Sequence, residues 1–179
     1  MKLTVGTKSL LIGAHWPPHV LAVVLAWKWL HGTWPNRKEL AAIALHDIGY
    51  IGCPDMDGDL GSEHPELGAM IADHLLGQEY GTLIRGHSKG FAESQGCDLS
   101  KLYGPDKVAV AFEPLWFYTL RTSLTGELAE YRSKPHGATP YVLADTITNK
   151  EWIRLVRLRM VWAGIGHVIK TVETGKNHE

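Results

Sequence analysis

The stretch RKELAAIALHDIGY, residues 37–50, joins a helical repeat of apolar side chains to the adjacent pair His46 and Asp47. Leu40 and Ile43 begin that repeat at the three- and four-residue spacing of an amphipathic helix. Burying a carboxylate at the apolar end of a helix costs free energy unless the group is paired or bound to a metal. A neighbouring imidazole and carboxylate are also ligands that accept a divalent cation. The stretch therefore predicts a helix that ends in a candidate metal site.

The same apolar repeat recurs on both sides of this stretch, and few segments alternate with the period of a β-strand. Prolines open several of the repeats and glycines close them, which is typical of helix boundaries. We therefore expect an all-α bundle of about six helices. The expected organisation is a domain over residues 1–132, a linker over 133–148, and an amphipathic helix with its tail over 149–179, packed on the domain or on a partner.

Composition excludes several classes of protein. The 179 residues suit one domain, and the formal net charge of −1 argues against bulk binding of nucleic acid. The longest apolar run, Val20–Trp27, is far short of the ~20 residues that a membrane span needs. Two cysteines, Cys53 and Cys97, do not make a disulfide framework. These features lead us to expect a cytoplasmic protein without a membrane span.

Other potential ligands lie near the ends of the predicted helices. Helix ends in an antiparallel bundle can converge on one pocket, so these side chains can reach the His46–Asp47 pair. Histidine is the commonest metal ligand, and the chain has ten. The candidates are His19, His64, His87 and Asp106, with His15 as a rival to His19.

In their local contexts these residues resemble the HD-domain superfamily of metal-dependent phosphohydrolases. That family has the pattern H…HD…D, with added histidines between HD and the last Asp in its dinuclear branch. The resemblance covers roughly residues 15–121. The matching segments are HVLAVVLAW at His19, ALHDIGY at His46 and Asp47, EHPELGAMIA at His64, RGHSKG at His87, and PDKVAVAF at Asp106.

The resemblance implies one or two divalent transition metals, drawn from Mn, Fe, Co, Ni and Zn. Its dinuclear form implies that one ion is held by His19, His46, Asp47 and Asp106. Asp47, the expected catalytic carboxylate, would bridge to a second ion on the remaining two histidines, His64 and His87. The implied reaction is cleavage of a phosphate ester, with a small nucleotide as the favoured substrate, by attack of a metal-bound hydroxide.

Several alternatives remain open at this stage. A mononuclear site would need only the first four ligands, and relatives with this ligand set also include dinuclear iron oxygenases. A nucleotide-sensing module without turnover and a purely structural helical domain are further possibilities. Hydrolysis of cyclic dinucleotides is not expected, because Tyr50 replaces the lysine of that branch and its GYP motif is missing.

Basic residues beside the predicted ligands are candidates for binding a phosphorylated substrate. Arginine suits two-point contact with phosphate, and lysine supplies a point charge. The alternative for each is ordinary surface charge. The candidates are Arg85, Lys89 and Lys107. Assembly into a homo-oligomer is left open.

Overall fold

The computed structural model describes residues 3–133 and 146–174, and within these ranges it consists of helices without a strand. The all-α prediction is confirmed. Ten α-helices lie within these described ranges: α1 (Val5–Ile12), α2 (Pro17–His31), α3 (Arg37–Leu45), α4 (His64–Leu75), α5 (Gln78–Arg85), α6 (Lys89–Gln95), α7 (Tyr103–Ala109), α8 (Leu115–Thr125), α9 (Glu127–Ser133) and α10 (Asn149–Glu173). Short 3₁₀ turns at Ile48–Tyr50, Gly61–Glu63 and Val110–Phe112 complete the described structure.

The described residues form somewhat more helices than the six or so predicted, because the pattern misses short helices and merges neighbouring ones. α1 and α6 are too short to show a full apolar repeat. The sequence pattern over residues 115–132 predicts one helix, whereas the structure divides this stretch into α8 and α9 at Gly126, whose positive φ of 91° ends the first of them.

The core lies between α2, α3 and α7, with a second cluster where α3 meets α4 and α5. Trp27 and Ile43 are fully buried in the first cluster, and Ala69 and Ile84 in the second. Because α3 contributes to both clusters, its C-terminal end is anchored on two sides. The pair His46 and Asp47 follows directly from that end.

Gly49 allows the turn after His46 and Asp47 to lie directly against α4. A β-carbon at this position would be 2.0 Å from the carbonyl oxygen of His64, which is a main-chain atom with little freedom to move. Glycine therefore permits the close approach that brings the start of α4 to the end of α3.

α10 packs mainly along α7 and also contacts α8. Trp152 and Ile153 are buried with Leu128 of α9, and Arg157 donates a hydrogen bond to the carbonyl oxygen of Glu113 at 2.6 Å. Most of the predicted linker, residues 134–145, lies outside the described residues, as does the tail 175–179.

Among the described helices, none by itself is long and apolar enough to cross a membrane. The pair α1 and α2, bent by 65° at the break between them, passes that test by length and composition only.

Candidate metal centre

Six of the predicted ligands come together at helix ends. Prolines at the first or second position of α2 and α4 fix where those helices begin, and Pro105 lies in the first turn of α7. The ligands fall into two groups that share Asp47, and within each group the potential ligand atoms lie within 4.8 Å of one another. The groups are His19, His46, Asp47 and Asp106, and Asp47, His64 and His87.

The first group surrounds one carboxylate oxygen of Asp47. His46 Nε2 lies 2.9 Å from Asp47 Oδ2, and His19 Nε2 lies 3.6 Å from the same oxygen. Asp106 Oδ1 is 3.2 Å from His19 Nε2 and 3.6 Å from His46 Nε2. Two ligand atoms that are each about 2.1 Å from one ion lie roughly 3–4 Å apart, so these separations fit a common cation.

The second group faces the other oxygen of Asp47. His64 Nε2 and His87 Nε2 are each 3.5 Å from Asp47 Oδ1. The two ring nitrogens are 3.1 Å from each other. Asp47 thus directs one oxygen to each group, which is the arrangement of a bridging carboxylate.

Three of the histidines are oriented by their own main chain. Each holds its Nδ1 against a carbonyl oxygen three residues earlier, so Nδ1 carries the proton and donates it there. In the neutral ring Nε2 then presents a lone pair to the centre, as a metal ligand requires. The pairs are His46 with Ile43 at 2.6 Å, His64 with Gly61 at 2.7 Å, and His87 with Ile84 at 2.6 Å.

Several buried polar atoms of the centre are not satisfied by hydrogen bonds from the described side chains. His46 Nε2 and Asp47 Oδ2 are buried, and within the described part of the chain neither has an aligned hydrogen-bond partner. His64 Nε2 and His87 Nε2 are two lone pairs at 3.1 Å, which repel unless a cation or a proton lies between them. A cation bound by each group would satisfy all four atoms, so the residues present fit a metal centre.

Burial and mutual attraction shift the pKa values of the centre. Burial disfavours the charged form of Asp47, but His46, together with His15 and His87, outweighs burial and lowers the pKa of that carboxyl well below its usual range. Burial also disfavours the charged form of Asp106, but Lys107, together with His19 and His46, outweighs burial and lowers the pKa of this carboxyl well below its usual range. Asp47 and Asp106 together overcome the effect of burial and raise the pKa of His46 to about 10. Burial, assisted by His87, lowers the pKa of His64 to about 3.

The three predicted substrate residues have different surroundings. Lys107 Nζ donates to Asp106 Oδ2 at 2.7 Å, which places a cation at the edge of the first group. Arg85 binds Glu66 at 2.8 and 2.9 Å and Asp73 at 2.9 Å, so its donors are used within the protein. Lys89 is exposed and lies 3.6 Å from Glu93. Of the three, only Lys107 contacts a residue of the two groups.

Two further residues border the centre. His15 Nε2 lies 4.0 Å from Asp47 Oδ2, although His15 precedes the prolines that begin α2 and belongs to neither ligand group. Tyr50 is buried and stacks on the ring of His64, with centroids 4.1 Å apart. Tyr50 also contacts the ring of His15 at 4.6 Å. The sequence signal for Tyr50 is its place three residues after Asp47, one turn further along the chain.

A scan against protein-family models, a search of curated proteins and a search of solved structures each found no match for this chain.

Proposed function

We propose that this protein is a metal-dependent phosphohydrolase that cleaves a phosphate ester of a small substrate, and that a nucleotide is the favoured substrate class. The reaction and the substrate class follow the resemblance of the sequence to HD-domain phosphohydrolases. The geometry supports the metal dependence, because buried imidazole and carboxylate groups suit the divalent ions Mn, Fe, Co, Ni and Zn.

The observation that carries the proposal is the position of Asp47 between two ligand groups. Its Oδ2 faces His19 and His46, and its Oδ1 faces His64 and His87, so a single carboxylate can serve both groups. Paired ions about 3.5–4 Å apart are common in phosphatases and nucleases. The arrangement favours a dinuclear centre over a mononuclear one.

When bound, divalent ions at such a centre lower the pKa of a water molecule and offset negative charge on phosphoryl oxygens. The protein's own side chains hold the geometry. Asp47 and Asp106 stay ionised, as their lowered pKa values indicate, and they balance the positive charge that the centre collects. Lys107 remains a cation beside Asp106, because Asp106 outweighs burial and raises the pKa of this ammonium group. Its ammonium group can donate to a phosphate oxygen at the edge of the centre.

The partly exposed side of the centre carries a positive charge, which suits a phosphate group. His46, Asp47 and His87 are buried, whereas 12% of the His19 side chain and 26% of the Lys107 side chain are exposed. A substrate therefore approaches past His19 and Lys107, where a cation meets the phosphate before it contacts the ligand groups.

The test is a metal analysis of the purified protein together with an assay of inorganic phosphate release. The assay uses nucleoside mono-, di- and triphosphates with added Mn²⁺ or Co²⁺. We expect up to two ions per chain and phosphate release that a chelator abolishes. Asp47→Asn should lower the metal content and reduce turnover by at least about 10³-fold, since it removes the shared ligand. His74→Gln, on the exposed face of α4, is the matched control and should retain full activity.

Other outcomes would favour the alternatives. Phosphate release with Mn²⁺ or Co²⁺ in the absence of O₂ supports hydrolysis, whereas consumption of O₂ without phosphate release would indicate an iron oxygenase. Tight nucleotide binding without turnover would indicate a sensing module. A protein that binds no metal at stoichiometric levels would contradict the proposal.

A further inference from the structure

A chain of hydrogen bonds connects the metal centre to a buried carboxylate on a distant part of the sequence. Ser9 Oγ of α1 lies 2.7 Å from His15 Nδ1 and 2.9 Å from Glu127 Oε2 of α9. Ser9 and Glu127 are both fully buried, whereas 18% of the His15 side chain is exposed. The linkage therefore begins inside the protein and ends at an accessible ring beside Asp47.

The donors around Glu127 determine the direction of these hydrogen bonds. The main-chain N–H of Ala14 donates to both of its oxygens, at 3.1 and 3.2 Å, and the hydroxyl of Thr125 also donates to it. A carboxylate that accepts from these groups also accepts the one proton of Ser9 Oγ. The oxygen of Ser9 must then accept from His15, so the proton of the neutral imidazole lies on Nδ1.

This tautomer leaves a lone pair on His15 Nε2, and that atom faces the centre at 4.0 Å from Asp47 Oδ2. The ring is supported by Tyr50 at 4.6 Å and His19 at 5.7 Å between centroids. His15 belongs to neither ligand group, so its lone pair is free to accept a hydrogen bond from a molecule held at the centre.

The linkage does not make Ser9 a nucleophile. In a serine hydrolase the imidazole lies between the hydroxyl and the acid, whereas here the hydroxyl lies between the imidazole and the acid. Ser9 is also fully buried and has no access to a substrate. Its place suits a group that transmits the orientation of Glu127 to the histidine ring.

We propose that His15 is a further catalytic residue, whose Nε2 accepts a hydrogen bond from the water molecule that attacks phosphorus. Glu127 and Ser9 are positioning residues that hold the ring and its tautomer. The catalytic part of this inference rests on the proposed phosphohydrolase function. The tautomer and its dependence on Ser9 follow from the hydrogen bonds alone.

The first experiment compares kinetics and metal content in the full-length, metal-loaded protein. His15→Gln should reduce kcat by about 10²-fold, the lower end for loss of a group that contacts the reacting water. Its KM and its metal content should change little, because His15 is not a ligand. Ser9→Ala should reduce kcat by about tenfold, and Ser123→Ala on the exposed surface of α8 is its matched control. Unchanged kcat in His15→Gln, or loss of metal in that variant, would overturn the inference.

The second experiment observes the ring directly and requires no turnover. Long-range ¹H–¹⁵N spectra of the ¹⁵N-histidine-labelled protein loaded with Zn²⁺ report which nitrogen of each histidine carries the proton. We expect His15 as the Nδ1–H tautomer, and a shift toward the Nε2–H tautomer in Ser9→Ala. An Nε2–H tautomer in the unsubstituted protein would overturn the inference, even if the protein is an active hydrolase.

The two proposals can fail separately. If the unsubstituted protein releases phosphate and His15→Gln does so equally well, the role of His15 is wrong and the proposed function stands. If no nucleotide or other phosphate ester is hydrolysed with any added divalent metal, the proposed function is wrong, and the catalytic role of His15 is wrong with it.

Discussion

His46 and Asp47 are neighbours in the sequence, yet their side chains serve the centre in different ways. His46 is fixed by its bond to the carbonyl of Ile43 and offers one nitrogen to one group. Asp47 directs one oxygen to each group. The carboxylate can therefore serve both groups, whereas the imidazole serves one.

The raised pKa of His46 predicts how metal affinity depends on pH. Without metal, the imidazolium persists up to about pH 10, and its proton stabilises the fold below pH 6.5 and ceases to do so as the pH rises through 10. A metal ion must displace that proton. The affinity for the first ion should therefore rise by about tenfold per pH unit between roughly pH 7 and 9.

Calorimetry in buffers of different ionisation enthalpy measures how many protons are released on metal binding. We expect about one proton when the first ion binds. His64, whose pKa is lowered to about 3, is already neutral between pH 7 and 9. His64→Gln should therefore leave the pH dependence of affinity for the first ion unchanged. An affinity that is flat between pH 7 and 9 would contradict the assignment of the proton to His46.

The surroundings of Lys107 and Arg85 predict opposite effects of removing their charges. Lys107→Met should raise KM for a nucleotide by at least about tenfold, since an ammonium contact with phosphate contributes roughly 1.5–3 kcal/mol. Arg85→Met should leave KM unchanged and lower the free energy of unfolding by about 1 kcal/mol, because its partly exposed ion pairs with Glu66 and Asp73 are lost.

Steady-state kinetics and urea denaturation of the two variants separate these effects. Lys89→Met is the control for loss of an exposed lysine, and it should change neither quantity. A raised KM in Arg85→Met with an unchanged KM in Lys107→Met would show that Arg85, and not Lys107, contacts the phosphate.

Helices position the ligands by where they begin and end, and the close contact at Gly49 is the most restrictive example. Gly49→Ala should lower the free energy of unfolding by about 1–3 kcal/mol, because a methyl group would press on the main chain at His64. Displacement of His64 should also weaken binding of the ion at the second group more than at the first, since His64 belongs only to the second group.

Gly90→Ala is a matched control within α6. A β-carbon there meets no atom within 4 Å, so alanine should be neutral or stabilise the helix by about 0.5–1 kcal/mol. Urea denaturation and metal titration of both variants provide the comparison. Equal stability of the two variants would show that α4 can move away from Gly49 at little cost.

At the scale of the whole molecule, metal binding should join segments that are far apart in the chain. The six candidate ligands come from α2, α4, α7 and the segments that follow α3 and α5. An ion that binds only the folded state adds about 2.7 kcal/mol at a concentration of 100 times its Kd. For a chain of this size we expect the melting temperature to rise by about 5–10 °C.

Thermal denaturation with added Mn²⁺ or Zn²⁺, followed by addition of a chelator, measures that rise and its reversal. Asp47→Asn should lose most of the effect, because it weakens both groups. His167→Gln retains both groups and should show the same rise as the unsubstituted protein. A melting temperature that does not respond to any divalent transition metal would argue against a metal centre in this fold.

The fold class was predictable because the apolar repeat of a long helix depends on residues close together in sequence. α2 and α3 follow that repeat, and the six candidate ligands could be named from their places near the ends of predicted helices. The repeat failed for α1 and α6, whose few turns do not establish a period. It also failed at Gly126, where one residue with positive φ separates α8 from α9.

The amino-acid sequence by itself determined the helical class and which imidazoles and carboxylates were available as ligands. Only the tertiary structure decided that Asp47 lies between two groups, that Arg85 is held by carboxylates, and that His15 is linked through Ser9 to Glu127. The physical reason is the distance along the chain over which each kind of interaction acts. Helical periodicity arises between residues three or four apart, whereas the distance between Ser9 and Glu127 depends on how α1 and α9 pack.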